Sequence, residues 1–102
     1  QDYVLKYWLL EGTGEFTKES IAPDTLHQLL HYDKEHGTEL YETLKTYLMN
    51  ERNSTLTAQL LKINRSTLPH RLNRITQLTG ANLDDFMTRL YLMMGFYILD
   101  YI

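Results

Sequence analysis

The sequence predicts an all-α fold, a helical bundle, from three observations. Apolar residues recur at helical spacing almost throughout the 102 residues. No alternating stretch of β-branched residues is bounded by turn signals, so nothing reads as a strand. Both prolines, Pro23 and Pro69, fall near expected helix starts, where a missing backbone amide does no harm.

The elements follow in order. Tyr3 to Glu11 carries Val4, Tyr7 and Trp8 on one side and stops at Gly12-Thr13-Gly14. A second helix opens at Pro23 and runs through Leu26, Leu29 and Leu30 to about Asp33, with His36-Gly37 as its end. Thr38 reads as the cap of a third helix, whose core stripe is Leu40, Leu44, Tyr47 and Leu48 and which Asn50 to Asn53 breaks. A short helix spans about Thr55 to Leu61. Another runs from Ser66 to Thr79, and Gly80 stops it. The last begins near Asp84 and continues to the end. It has one apolar face of Phe86, Leu90, Met93, Met94, Tyr97 and Tyr101, which suits the bundle. Leu92, Phe96 and Leu99 make a second, nearly opposite stripe, available to the first helix or to a second protomer. Residues 1–37 form an N-terminal helical segment expected to pack on a domain of residues 38–102.

Composition narrows the function. The chain has no cysteine, which removes thiolate metal sites and thiol chemistry and fits a reducing, cytoplasmic setting. No apolar run reaches the roughly 18 residues of a membrane span. The start lacks both an initiator Met and a signal-peptide pattern, so the chain reads as a fragment of something longer. No nucleophile elbow, Gly-rich phosphate loop or H-E-x-x-H motif appears, so an enzyme is not expected, nor a cofactor. His27 and His31 stand four apart on a helix, but a metal site needs a third ligand held in place, and an exposed polar face is the simpler reading.

Charge is unevenly spread. The formal total is −3, yet residues 52–83 hold Arg52, Lys62, Arg65, Arg71 and Arg74 and no acid. A local, acid-free stretch is what a polyanion meets; otherwise it is a solvated basic face. Within it lie a short helix, a tight break at Lys62-Ile63-Asn64, and a longer helix. That is the helix-turn-helix plan, in which one helix braces another against the major groove. Ala58 is small where the two helices approach, and Ile63 is an apolar plug in the turn. On the second helix Leu68, Leu72, Ile75 and Thr79 share one face, opposite Ser66, His70, Asn73, Arg74 and Gln77. Arg65 stands at the entry and Arg71 on the flank, where it suits either a phosphate or an internal carboxylate such as Glu39 or Glu42.

The run Ala58-Gln-Leu-Leu61-Lys-Ile63-Asn-Arg65-Ser-Thr67-Leu68-Pro-His-Arg71-Leu72 resembles the C-terminal helix-turn-helix of PucR/CdaR transcriptional regulators. Its flanks agree: Leu30-x-Tyr32-Asp33 and Gly37-Thr38-Glu39-Leu40 before it, Leu78-Thr79-Gly80 and Leu83 after it, so the likeness covers roughly residues 29–99. The Ile63-Asn64-Arg65-x-Thr67-Leu68 core is also similar to the Fis-type motif. The resemblance implies double-stranded DNA as partner and an N-terminal sensor region that this fragment lacks. It implies phosphate contacts from Asn53 and Thr55, and a DNA surface at Asn64, Arg65, Thr67 and His70, with Arg65 as base reader. Lys62, Ser66, Arg71, Asn73 and Arg74 complete the expected DNA-binding set. The chain departs from the family where Asn64, Ser66 and His70 replace a His, an Asn and a Tyr. Base preference is therefore expected to differ from that of relatives. The alternative is an all-α interaction or dimerisation module, with a homodimer through the C-terminal helix open under either reading.

Overall fold

Residues 22–102 are described by the structure, a computed structural model, and form five helices: α1 (Asp24–His36), α2 (Leu40–Met49), α3 (Ser54–Leu61), α4 (Thr67–Thr79) and α5 (Phe86–Tyr101). The helix expected over Tyr3 to Glu11, and with it the expected cover of the last helix, lies outside these residues. No strand occurs among the described residues, as the periodicity predicts.

Each boundary has a local cause. Pro23 takes the N-cap position of α1 with φ −59°, and its carbonyl accepts from the Leu26 amide at 3.1 Å. Helix α1 runs three residues beyond the expected end because nothing stops it before Gly37, which adopts φ 67° and returns its amide to the Asp33 carbonyl. Thr38 does not cap α2; that expectation is corrected. Asp33, still inside α1, accepts from the Leu40 and Tyr41 amides at 2.8 and 2.9 Å, and from the Thr38 hydroxyl at 2.5 Å. One carboxylate thus satisfies two orphan amides of the next helix and locks the α1–α2 corner. Asn53 and Asp85 cap α3 and α5 in the usual way, accepting from the Leu56 and Thr88 amides. Those bonds from Thr88, first the amide and then the hydroxyl, hold the Asp85 carboxyl below its ordinary value.

The core gathers on α2, which packs against all four other helices. Leu40, Leu44 and Leu48 are buried as the stripe predicts, with Tyr47 half-buried beside them. Leu26 and Leu29 of α1, Ile75 of α4, and Leu92 and Phe96 of α5 meet them in a single cluster. The described part of the segment before residue 38 therefore belongs to this same core. Tyr41, which the spacing of α2 did not mark, is also buried; its ring meets Phe96 edge-on at 5.1 Å. Its hydroxyl donates to Asp100 at 3.0 Å, and Lys45 reaches the other oxygen of that carboxylate at 2.8 Å, tying the end of α5 to α2. Burial and Asp100 together push the Tyr41 phenol well above its ordinary value.

Helix α5 corrects the expected assignment of its two faces. Leu92, Gly95, Phe96 and Ile98 are buried, while Phe86, Met87, Tyr91 and Tyr101 are each more than half exposed. The narrow stripe faces the core, while the broad one is only partly buried: Leu90, Met93, Met94 and Tyr97 are half-buried and its two ends, Phe86 and Tyr101, face out. Gly95 is the reason. A Cβ there would lie 2.4 Å from Pro23 Cδ and 2.8 Å from Leu26 Cδ1, so α1 docks its start on the one side of α5 that has no side chain.

Candidate nucleic-acid interface

The break between α3 and α4 is built by backbone geometry. Lys62 adopts the left-handed conformation, φ 59°, and the Ile63 amide returns to the Ala58 carbonyl at 3.0 Å. This double-bonded helix end satisfies carbonyls that α3 would otherwise leave open. A lysine there bears a steric strain of roughly 1–2 kcal/mol that a glycine would not. Asn64, Arg65 and Ser66 cross the gap exposed, and the Thr67 amide bonds the Asn64 carbonyl at 3.0 Å to start α4. Ser66 makes no side-chain cap. Pro69 falls in the first turn, so its missing amide breaks no helical bond.

Helix α4 is divided as its sequence predicts. Leu68 and Ile75 are fully buried, and Leu72 and Leu78 pack against the same core. His70, Asn73 and Arg74 lie on the exposed side. Arg71 stands apart, because at about 100° per residue it falls nearer the core-facing Leu68 and Ile75 than His70, Asn73 or Arg74 do. It is half-buried: its guanidinium donates to Thr43 Oγ1 at 3.1 Å and lies 3.9 Å from Glu39. Arg71 thus holds α4 on α2, whereas Lys62, Arg65 and Arg74 make no ion pair among the described residues. Thr67 is half-buried at the first position of α4, and Thr55 is exposed one residue into α3. Asn53 is exposed and spends its carbonyl oxygen on the Leu56 amide.

Two details differ from the sequence reading. Helices α3 and α4 each pack principally on α2, so α2 is the common brace rather than α3 alone. Ile63 is half-buried and closes the turn, while the buried small residues of α3 are Thr57 and Ala58. Thr57 Oγ1 has no hydrogen-bond partner among the described residues, a cost no periodicity argument reveals. Elsewhere, His31 pairs with Glu35 at 3.4 Å, and the described residues contain no group of three potential metal ligands. No described helix is long and apolar enough to cross a membrane.

The exposed set offers amides, hydroxyls, one imidazole and three cations without an ion pair among the described residues, all from a stretch of sequence that contains no acid. It lies around the acid-free N-terminus of a 13-residue helix whose dipole favours anions. Comparison with known proteins supplies the family. Residues 40–98 match the model of the PucR C-terminal helix-turn-helix domain. The chain is 42% identical over 57 residues to the proline-responsive transcriptional activator PutR of Bacillus subtilis (strain 168), covering 56% of this chain. It is 34% identical over 59 residues to the DNA-binding transcriptional activator AdeR of the same organism, covering 58% of this chain. In each case the match spans 14% of the relative's length. No solved structure matches significantly.

Proposed function

Because this chain belongs to the PucR C-terminal helix-turn-helix domain family, we propose that it is the sequence-specific DNA-binding unit of a bacterial transcriptional regulator, with α4 entering the major groove. The observation that carries this is the exposed start of α4 within the acid-free stretch of residues 52–83, where Lys62, Arg65 and Arg74 are exposed and make no ion pair among the described residues. Arg65 reads a base edge, since its planar fork suits the two acceptors of a guanine. Lys62, Asn53 and Thr55 contact phosphates, and Asn64, Ser66, Thr67, His70, Asn73 and Arg74 line the groove. Arg71 acts at one remove, by fixing the angle of α4 on α2. A sensor region elsewhere in the full-length regulator and a cytoplasmic setting complete the reading.

A homodimer through α5 also belongs to this proposal. With Leu92 and Phe96 buried, the self-association surface is the outward one, at Phe86, Met87, Tyr91 and Tyr101. A two-fold pair would present two α4 helices to half-sites about one DNA turn, ~34 Å, apart.

Selection from a random duplex pool tests the proposal. The domain enriches a common motif, and Arg65→Ala relaxes one position of it at a cost of about 1–3 kcal/mol. If Arg65→Ala lowers specific and random duplex affinity by the same factor, Arg65 is not the base reader.

A further inference from the structure

The acid-free stretch of residues 52–83 is bracketed by acids on both sides, Glu51 before it and Asp84 after it. The fold brings these ends together. Arg52 Nη1 lies 3.5 Å from Asp84 Oδ1, across 32 residues of chain. Glu51 and Arg52 line one groove of about 290 Å³ with Leu48, Phe86, Arg89 and Met93. Arg89 is already committed, donating to the Leu83 carbonyl at 3.0 Å. Arg52 is therefore the cation of this groove held only by a loose, exchangeable partner, for the Asp84 side chain is 94% exposed.

The backbone fixes where Arg52 stands. Glu51 and Arg52 are consecutive left-handed residues, φ 57° and 58°, a conformation that glycine or asparagine adopts at less cost. The Arg52 amide bonds the Tyr47 carbonyl at 2.8 Å, and the Asn53 amide bonds the Asn50 carbonyl at 3.0 Å. This rigid corner carries Arg52 immediately before Asn53, the cap of α3. The N-terminal end of α3 is also where Asn53 and Thr55 are assigned to phosphates above.

We propose that Arg52 is a further phosphate contact, occupied in the free domain by Asp84, whose carboxylate stands in for the phosphate until DNA displaces it. The inference rests on the DNA-binding reading. Asp84 then acts as a built-in competitor that weakens binding to every duplex alike and leaves discrimination to the α4 surface. The exchange costs little because an exposed ion pair contributes little.

Binding of a fluorescent random-sequence duplex by wild type, Arg52→Gln, Asp84→Asn and the double variant tests this, with Glu35→Gln as the control for net charge. Melting curves establish that each is folded. Asp84→Asn tightens binding about two- to five-fold, the scale of one exposed pair. Arg52→Gln weakens it and lowers the steepness of log K against log salt by about 0.9, one phosphate contact. In the Arg52→Gln background, Asp84→Asn gains no more than Glu35→Gln does. An Asp84→Asn gain of the same size with and without Arg52 would overturn the proposal, as would an unchanged salt slope in Arg52→Gln while Lys62→Ala lowers it. A folded wild type that binds no duplex at low salt would remove the DNA-binding reading itself, and this inference with it.

Discussion

Helices α4 and α5 are of similar length and pack on the same core, yet they present opposite surfaces to solvent. Helix α4 buries Leu68 and Ile75 and shows His70, Asn73 and Arg74. Helix α5 buries Leu92, Phe96 and Ile98 and still shows Phe86, Met87, Tyr91 and Tyr101. The first surface keeps its polar groups hydrated until a polar, anionic partner replaces the water. The second holds apolar area from which expelling water is favourable, and it suits an apolar partner. One small domain therefore presents two chemically different surfaces on two helices, and α2 holds both to one core.

The largest effect expected from this contrast is within α5. Phe96→Ala should cost about 3–5 kcal/mol of stability, whereas Tyr91→Ala on the outer face should cost within about 0.5 kcal/mol. Denaturant melts of the two variants check it, and similar losses would mean that the faces are wrongly assigned. Next is Gly95→Ala. Alanine is the better helix former by about 1 kcal/mol, but its methyl would meet Pro23 and Leu26 at 2.4 and 2.8 Å. A net loss of about 1–3 kcal/mol is expected, and a gain would show that α1 does not sit against α5 at this point.

A smaller change, of opposite sign, is expected in α3. Thr57→Val keeps the shape and removes a buried hydroxyl that has no partner among the described residues, so stability should rise by about 1 kcal/mol. Thermal melting would show it. A loss would indicate that the hydroxyl is satisfied in solution, by water or by rearrangement.

The same contrast explains what was legible in the sequence. Helix α4 has one apolar stripe, so periodicity alone assigned Leu68, Leu72 and Ile75 to the core and His70, Asn73 and Arg74 to solvent. Helix α5 has two, and periodicity cannot say which of two apolar faces is inside. The decision rests on Gly95, whose significance depends on Pro23 and Leu26, more than 60 residues earlier in the chain. Thr38 failed as a cap for a related reason. A local rule favoured it, but Asp33 reaches the same amides from the preceding helix, and its ionised oxygens are the stronger acceptors. The pairing of Arg52 with Asp84 was hidden likewise, since a charge count shows where acids are absent but not which ends the fold brings together. For Arg71 the residues allowed a phosphate or an internal partner. The structure gives it Thr43 and Glu39, because its angle on α4 turns it toward α2.

The central claim, that an acidic domain binds duplex DNA through the exposed residues of its acid-free stretch, is tested most directly by salt dependence. Affinity for a random duplex should be measured by fluorescence anisotropy across a range of salt concentrations. With Lys62 and Arg52 meeting phosphates, and Arg65 and Arg74 in the groove between them, about two to four counterions are released, and log K should fall against log salt with a slope of roughly −1.8 to −3.6. A folded domain whose duplex affinity is flat over that range, or absent at low salt, would contradict the account.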